Sequence, residues 1–471
     1  MSLTPEKIVQ GLRALLGEAG TILAEPAEMA SYLSEPRKRF HTPAVAVALP
    51  GSVAALQALC RWANEHRVPL IPQSGNTGLV GGQVPLGGNE VIVNLSRINR
   101  VRGVDAAAGH MTLEAGVILE DAHKAAEAAG AMFPLWIASQ GSARIGGVLS
   151  SNAGGVQVLA FGNARELTLG VEAVLADGRL YQGLNALKKD NTGYDLKDLL
   201  VGAEGTLGFI TAATLKLFPI PEARETALCN VASPAAALEL FYLLRERTGS
   251  RLTAFELMPR FGIELQLKHR MLARDPSASL SPWYVLAEVN RMRGGVPGAL
   301  QSALEEALGE GLVGDAVVAE SEADRTLMWA AREQMSDVQS KEGASIKHDV
   351  SVPIAAVPQL IAEGVAAAER VVPGIRACPF GHMGDGNIHF NFSQPVGADG
   401  KTFMAGAEPV HAAIYEIVMQ LGGSVSAEHG IGQLKTGLLR QVKDPVALDM
   451  MRAIKRALDP NGILNPGKVL G

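Results

Sequence analysis

Three glycine-rich segments, each placed after a predicted strand, constrain the fold of this chain more than any other feature. They lie at residues 72–82, 141–155 and 202–208 of a sequence with 471 residues and 52 glycines. Glycine allows sharp backbone turns, and successive backbone N–H groups can then converge on an anion, as in loops that hold a pyrophosphate. Any one segment is equally well explained as an ordinary turn. Three of them in one predicted domain favour a pyrophosphate site.

Short β-branched runs alternate with Ala-rich helical patterns between about Pro43 and Phe218. Apolar spacing predicts a helix over residues 53–65, and strands are predicted at residues 45–49, 68–71, 91–95, 111–115, 171–175 and 209–218. This alternation is typical of α+β or α/β layers. Pro219 and Pro221 predict a domain boundary. We therefore expect domains at residues 1–219 and 220–424, followed by a C-terminal segment at residues 425–471.

Charge and cysteine content exclude several classes of protein. A net charge of −6 disfavours nucleic acid binding. The three cysteines are widely spaced, which argues against an iron–sulfur cluster or a disulfide framework and fits a reducing compartment. No signal-peptide pattern is visible near Pro5, and no apolar run reaches the roughly 18–20 residues of a membrane span. The sequence predicts a cytoplasmic protein whose association with a membrane, such as the inner membrane, is at most peripheral.

The glycine spacing excludes two common nucleotide-binding motifs. Gly75, Gly78 and Gly81 do not match the G-x-G-x-x-G fingerprint of a nicotinamide-binding Rossmann domain. A Walker loop would require G-K-[ST], which none of the three segments contains.

Residues 381–392 predict a β-hairpin that carries two histidines, with an Asp-Gly turn between its arms. In the second arm His389 and Asn391 share one face, while the apolar residues that alternate with them share the other. The hairpin can bring His382 opposite His389. Two such imidazoles are more often a structural pair than a metal site, but they are also suitable ligands for a divalent metal such as zinc.

Glu428 and His429 favour the metal interpretation. They lie in a glycine-bounded segment, where the carboxylate could complete a three-ligand site with His382 and His389. Such a site keeps open positions for a substrate.

Two further polar groups could face a ligand. Arg332 and Ser336 lie four apart in a helical pattern over residues 323–338, and therefore on one helix face. Lys347, Asp349 and Ser351 share a strand face, although residue 348 interrupts the alternation. Faces of this kind are usually solvated surface, so the residues alone leave their role open.

The glycine segments, together with residues 189–199, resemble the flavoproteins of the vanillyl-alcohol oxidase and p-cresol methylhydroxylase superfamily over nearly the whole chain. Within it the chain is similar to the branch of D-2-hydroxyglutarate and D-lactate dehydrogenases. The resemblance implies an α+β fold with a p-cresol methylhydroxylase-type FAD-binding domain and an α+β substrate-binding cap domain with an antiparallel sheet. It also implies a helical C-terminal segment that carries Glu428 and His429 back to the FAD domain.

The resemblance further implies which residues contact FAD, with the pyrophosphate on the first glycine segment and the isoalloxazine ring near residues 134–146. The set carried over is Pro72, Gln73, Ser74, Gly75, Asn76, Thr77, Gly78, Leu79, Gln83, Pro134, Ser139, Gly141, Ser142, Gly146, Ser151, Asn152, Gly155, Glu204, Gly205, Gly208, Ile210 and Asn465. Relatives with covalent flavin often carry a histidine in the first loop. This loop has none, so the FAD is expected to be non-covalent.

Roles at the second site also follow from the resemblance. The matching residues of the family bind the metal at His382, His389 and Glu428, hold the far carboxylate of the substrate at Arg332, Ser336 and Lys347, face the substrate at Asn391, and supply the catalytic base at His429. The serine at 336 is commonly threonine in the family, and His348 stands where an aromatic is frequent. These two departures leave the length of the substrate open.

The expected chemistry follows from the weak acidity of an aliphatic hydroxyl. A bound cation, zinc being the expected metal, stabilises the alkoxide while an imidazole accepts the proton. We expect His429 to remove the hydroxyl proton as hydride passes from substrate C2 to flavin N5, which yields a 2-oxo acid. Lys347 favours a D-2-hydroxy dicarboxylate such as D-2-hydroxyglutarate or D-malate, because it adds a second positive charge for a second carboxylate. D-lactate or glycolate is the alternative.

Two other functions remain open from the sequence: an ether-forming exchange like that of the related alkyl-dihydroxyacetone-phosphate synthases, and a non-catalytic FAD-binding or electron-transfer protein. The first would need a phosphate pocket, and the intact metal and base residues argue against both. The electron acceptor could be an electron-transfer flavoprotein, a quinone, a cytochrome or oxygen, since no cysteine cluster passes electrons onward. A homodimer, the commonest oligomer, is compatible with the chain.

Overall fold

The computed structural model describes residues 3–471, which divide into two compact units. Unit 1 comprises the chain up to Gly155, Gly162–Ile220 and Glu428–Gly471. Unit 2 comprises Val156–Phe161 and Pro221–Ala427. Each unit has its own hydrophobic core, as expected for a chain too long for a single core.

The strands, numbered along the chain, are β1 Gly20–Leu23, β2 Ala46–Pro50, β3 Leu70–Gln73, β4 Val91–Asn94, β5 Val101–Asp105, β6 His110–Glu114, β7 Ala131–Met132, β8 Thr168–Val174, β9 Leu180–Gly183, β10 Phe209–Lys216, β11 Phe218–Pro219, β12 Ala223–Val231, β13 Leu252–Pro259, β14 Trp283–Arg291, β15 Asp315–Val318, β16 Ser345–Ile346, β17 Val350–Ser351, β18 Arg376–Phe380 and β19 Asn387–Ser393.

The α-helices are α1 Pro5–Leu16, α2 Pro26–Met29, α3 Val53–His66, α4 Leu119–Ala128, α5 Ile145–Ser150, α6 Val158–Phe161, α7 Lys197–Leu200, α8 Pro234–Thr248, α9 Arg260–Lys268, α10 Ala299–Gly309, α11 Glu322–Glu333, α12 Met335–Val338, α13 Val357–Val371, α14 Gly400–Ala405, α15 Ala407–Gln420, α16 Thr436–Val442 and α17 Pro445–Leu458. Short 3₁₀ turns occur at Gly17–Ala19, Ala30–Tyr32, Gly249–Arg251, Gln339–Glu342, Ile354–Ala356 and Met383–Asp385. Across residues 3–471, none of the helices is both long and apolar enough to cross a membrane.

Unit 1 contains a mixed sheet and an antiparallel sheet. In the first, β2 and β3 flank β4 in parallel, and β1 pairs antiparallel with β2. The connection from β2 to β3 runs through α3, which begins where the Ser52 side chain accepts a hydrogen bond from the Ala55 amide. The second sheet has the order β5-β6-β10-β8-β9 and is antiparallel throughout. The helix and strands expected in this region are confirmed, with boundaries shifted by a few residues.

The first glycine segment follows β3 directly, and the end of the chain is bound to the start of that strand. The Leu70 amide donates to the Ile463 carbonyl at 2.7 Å, and the Asn465 amide donates to the Leu70 carbonyl at 2.8 Å. The C-terminal segment of unit 1 is therefore an extra partner for the strand that leads into the glycine loop.

Unit 2 contains two antiparallel sheets. The first has the order β13-β14-β12-β15, with α8 and α10 packed on the face that bears Phe255 and Leu257, and α9 and α11 on the other face. The second is built on β19, which pairs with β16, β17 and β18. Helices in both units and antiparallel sheets in each confirm the α+β class.

Candidate functional site

The glycine segments of unit 1 line one cleft. It holds about 910 Å³ of empty space, open mouth included. Residues of all three segments contribute to its walls, and His429 also lines it. The lining combines glycines and polar side chains with apolar ones such as Leu95, Ile137 and Phe209. Glycines in such walls allow the backbone to approach a bound ligand, as a pyrophosphate requires.

Most of the residues expected to contact FAD lie in this cleft. Those in its lining are Pro72, Gln73, Ser74, Gly75, Asn76, Thr77, Gly78, Gln83, Gly146, Ser151, Glu204, Gly205, Gly208 and Ile210. Those outside the lining are Leu79, Pro134, Ser139, Gly141, Ser142, Asn152, Gly155 and Asn465. One of the second group, Asn465, is bound to the third glycine segment, because its side-chain amide donates to the Glu204 carbonyl at 2.7 Å.

Gly75 shows why the first loop requires glycine. A Cβ atom at this position would lie 2.2 Å from the Ser142 carbonyl oxygen and 3.0 Å from the Ala143 Cα atom. Both atoms belong to the backbone of the second glycine segment, so neither can move aside as a flexible side chain would. The absent side chain lets two of the glycine loops touch.

Gly75→Ala is therefore expected to push these two loops apart, to cost about 1–3 kcal/mol in the free energy of unfolding, and to lower the FAD content of the purified protein. Flavin absorbance per chain and thermal unfolding measure both effects. Gly103→Ala is the matched control, because a Cβ atom there meets nothing within 4 Å. Equal FAD content in the two variants would contradict the assigned role of Gly75.

Glu204 holds the segment that carries His429. Its carboxylate accepts hydrogen bonds from the amides of Ile431 and Gly432 at 2.7 and 2.8 Å. Burial raises the pKa of Glu204 above its ordinary value, against the lowering effect of these two amides. Gly430, at φ +78°, has no room for a Cβ atom, which would lie 2.8 Å from the Glu204 carboxylate. The carboxylate predicted to contact FAD thus also orders the loop beside the proposed base.

The histidine hairpin of unit 2 forms as expected. β18 and β19 pair antiparallel, and the turn between them contains Met383–Asp385. His389 pairs directly with Phe380, while His382 lies just past the end of β18, with 5.7 Å between the centroids of the two imidazole rings. Ile388, Phe390 and Phe392 are fully buried in the core of unit 2. The alternation expected for β19 is present, and its polar residues face away from that core.

Lys347 and Asp349 lie in the segment that pairs with β19, opposite two residues of its polar face. Their segment is a strand interrupted at residues 347–349, yet β16 and β17 pair with β19 in the same register. Continuing that register places Lys347 opposite Asn391 and Asp349 opposite His389, and opposed residues in an antiparallel pair share a face. His389 Nδ1 lies 4.0 Å from Asp349 Oδ1.

The helical segment with Arg332 and Ser336 differs from the expectation. The predicted single helix is broken at Gln334 into α11 and α12. The Lys347 ammonium donates to the Ser336 carbonyl at 3.0 Å and to its hydroxyl at 2.9 Å. Lys347 and Ser336 are thus direct neighbours, as a shared carboxylate site requires.

Glu256 completes the polar cluster of unit 2, and no sequence motif indicated it. This fully buried carboxylate in β13 accepts a hydrogen bond from Arg332 Nε at 2.6 Å and contacts His382 Nδ1 at 2.8 Å. Burial raises the pKa of Glu256, but the neighbouring His382 and Arg332 outweigh burial and hold it at about 2. The sequence did contain a signal for Glu256, because it is a carboxylate in the middle of the mainly apolar run 252–259. A buried charge of this kind needs a partner, which suggests a polar cluster.

The chain leaves unit 2 beside Asp349. The Ala427 amide donates to the Asp349 carbonyl at 3.3 Å, and Ser424 pairs with Ser351. Glu428 is the next residue after Ala427 and the first of the final segment of unit 1.

Sequence reasoning also missed part of the cleft lining in unit 1, namely Val80, Gly82, Leu95, Ile137, Ala143, Arg144, Gly147, Val148, Ser150, Ala153 and Phe209.

Comparison with known protein families matches residues 220–469 to "FAD linked oxidases, C-terminal domain" and residues 44–183 to "FAD binding domain". A D-2-hydroxyglutarate dehydrogenase of Xanthomonas citri pv. viticola is 36% identical, covering 94% of this chain and 93% of that protein. The mitochondrial D-2-hydroxyglutarate dehydrogenase of Bos taurus is 35% identical over 96% of this chain and 81% of its own length. A D-2-hydroxyglutarate–pyruvate transhydrogenase of Saccharomyces cerevisiae is 32% identical over 94% and 90%.

Solved structures share the fold at low sequence identity. p-Cresol methylhydroxylase with bound substrate matches with a TM-score of 0.77 and 18% identity, over 99% of this chain and 96% of that chain. An alkyldihydroxyacetonephosphate synthase matches with a TM-score of 0.74 and 16% identity, over 99% and 85%. These matches confirm the p-cresol methylhydroxylase-type fold.

Proposed function

Because this chain belongs to the family of FAD-linked oxidases, we propose that it oxidises a D-2-hydroxy dicarboxylate such as D-2-hydroxyglutarate to the 2-oxo acid, with the help of a divalent metal. It is an FAD-binding oxidoreductase. The observation that carries the choice of substrate is the pair Lys347 and Ser336, which lies in unit 2 beside the face of β19 that bears Asn391 and His389.

The cleft of unit 1 fits FAD. Gly75 lies against the backbone at Ser142 and Ala143, and Gly205 lies against the ring of Pro72, so a side chain at either position would clash. Backbone N–H groups in glycine loops of this kind suit a pyrophosphate. We assign the flavin to this cleft, held without a covalent bond. Bound there, FAD would supply the hydride acceptor for the oxidation.

The histidines of unit 2 fit one side of a metal site. Nδ1 of His382 contacts Glu256, so Nε2, which Arg332 approaches at 3.4 Å, is the nitrogen that would bind a cation, and the His389 ring lies beside it. The Ala427 amide is hydrogen-bonded to the Asp349 carbonyl, next to β17, and Glu428 is the residue after Ala427. We assign His382, His389 and Glu428 as the ligands of a divalent metal, with zinc the preferred candidate for this N/N/O set. A cation held there would lower the cost of forming the alkoxide.

The remaining residues bind and orient the substrate. Arg332 and Lys347 carry the positive charges that a second carboxylate requires, and an arginine can hold a carboxylate through two parallel hydrogen bonds. Asn391 presents an amide on the same face as Lys347. His429 accepts the proton of the substrate hydroxyl at an imidazole nitrogen.

Anaerobic reduction of the bound flavin tests this proposal. We expect D-2-hydroxyglutarate to bleach the absorbance at about 450 nm that is typical of oxidised flavin. D-malate should bleach it more slowly, and D-lactate and glycolate should be the slowest. Removal of divalent ions with a chelator is expected to slow reduction by at least about tenfold, since metal assistance supplies several kcal/mol, and added Zn²⁺ should restore it.

The L enantiomer of the best substrate is the control for stereochemistry. A flavin that no D-2-hydroxy acid reduces would overturn the dehydrogenase assignment, and fastest reduction by D-lactate would shift it to a monocarboxylate. Full activity after complete removal of divalent ions would exclude the metal. The candidate electron acceptors are an electron-transfer flavoprotein, a quinone and a cytochrome. Steady-state assays with each of them distinguish these candidates.

A further inference from the structure

One carboxylate in unit 2 joins a proposed metal ligand to a proposed substrate ligand. Glu256 Oε1 lies 2.8 Å from His382 Nδ1, and Glu256 Oε2 lies 2.6 Å from Arg332 Nε. All three side chains are buried, the carboxylate almost completely. Arg332 also reaches His382 Nε2, at 3.4 Å. Each oxygen of Glu256 therefore has a separate partner with a separate proposed task.

The hydrogen bond to His382 determines which ring nitrogen can bind a cation. An ionised carboxylate only accepts hydrogen bonds, so the proton of the imidazole lies on Nδ1. The lone pair is then on Nε2, the nitrogen that we assign to the metal and that Arg332 approaches at 3.4 Å. A carboxylate behind a metal-binding histidine fixes the orientation of the ring and raises the basicity of the ligand nitrogen.

Backbone pairing makes this placement rigid. The Leu257 amide donates to the Gly381 carbonyl at 2.9 Å, and the Gly381 amide donates back to Leu257 at 3.0 Å. The residue after Gly381 is His382, and the residue before Leu257 is Glu256. The two side chains are therefore brought together by a pair of main-chain hydrogen bonds between β13 and the end of β18.

We propose that Glu256 is a positioning residue that couples the metal subsite to the carboxylate subsite, by orienting His382 with one oxygen and Arg332 with the other. The inference rests on the proposed function, because it needs His382 to bind the metal and Arg332 to bind the substrate. Glu256 itself touches neither. Its loss should weaken both binding events together.

Glu256→Gln is the sharpest test, since the amide keeps the size of the side chain but offers one acceptor in place of two. Its NH₂ group must face one of the two donors, so one link is lost, and the neutral amide oxygen holds the other donor more weakly than a carboxylate does. We expect the dissociation constant for Zn²⁺ to rise about 10–100-fold, the usual effect of removing a partner behind a metal ligand. Competition with a chromogenic chelator measures this constant in the FAD-loaded protein without any turnover.

A second readout follows the substrate. In Glu256→Gln the KM for D-2-hydroxyglutarate is expected to rise, while the FAD content stays at that of the wild type. Glu256→Asp retains two oxygens on a shorter arm, and we expect it to recover part of the zinc affinity. If Glu256→Gln does not fold, the same two measurements on Glu256→Asp decide the question, with wild-type values overturning the proposal.

Glu288→Gln is the matched control. Glu288 lies in the neighbouring strand β14 and is equally buried, and it binds Arg325, Trp329 and Thr226 instead. Its loss should lower thermal stability and leave the zinc affinity unchanged. A Glu256→Gln variant that loses stability but binds Zn²⁺ as tightly as the wild type would make Glu256 merely structural and overturn this inference alone. A wild-type protein that binds no stoichiometric Zn²⁺ would overturn both this inference and the metal site of the proposed function.

Discussion

Replacing His429 with asparagine is expected to slow flavin reduction by D-2-hydroxyglutarate by about 10²–10⁴-fold, the usual contribution of a general base. Asparagine retains polar character and approximate size but cannot accept the hydroxyl proton. His429 lines the glycine cleft, and Glu204 binds the loop that follows it. Stopped-flow measurement of the anaerobic reduction rate at saturating substrate isolates this step from the unknown acceptor.

His110→Asn is the control, because His110 is a half-buried histidine of the same unit and lies in β6, away from the cleft lining. FAD content and substrate affinity should be unchanged in both variants. A reduction rate for His429→Asn within a few fold of the wild type would rule out His429 as the base and direct attention to another proton acceptor.

Lys347→Met is expected to lower kcat/KM for D-2-hydroxyglutarate and D-malate by about 10–100-fold and to leave D-lactate nearly unchanged. The loss corresponds to one hydrogen bond to a charged group, worth about 1.5–3 kcal/mol. Methionine keeps the aliphatic stem of the side chain. The ammonium group, which contacts Ser336 at 2.9 Å, is the part removed. The ratio of kcat/KM values for the dicarboxylates and lactate reports the effect.

Lys341→Met serves as the matched control, since Lys341 is exposed and only six residues away in the chain. It should have wild-type kinetics with all three acids. Equal losses for dicarboxylates and lactate in Lys347→Met would show that the lysine supports the site in general and does not select a second carboxylate.

The fold of unit 1 was predictable because its signals are local. A strand, a helix and a second strand before the glycine loop each have their own periodicity, and the glycines mark where the backbone must turn or approach. The same holds for β19, where alternation alone predicted which residues face the core. The family resemblance on these motifs is confirmed by the matches to FAD-linked oxidases.

Local patterns did not predict the interruptions of two elements. The expected helix over 323–338 is broken at Gln334, and the strand from β16 to β17 is interrupted around His348. The His348 carbonyl still accepts a hydrogen bond from the Phe390 amide at 3.1 Å, so the register survives the interruption. Periodicity predicted the faces correctly but could not show where the regular geometry stops.

The glycine loops, the histidine hairpin and the family could be predicted from the sequence alone, because each motif consists of residues that lie close together in the chain. The contacts of Glu256 with His382 and Arg332, and of Glu204 with the loop at 431–432, could be seen only in the folded chain. Those partners are 126, 76 and more than 200 residues apart. Their contact is set by strand pairing and loop packing, and neither segment of such a pair shows in its own sequence which distant segment it will meet.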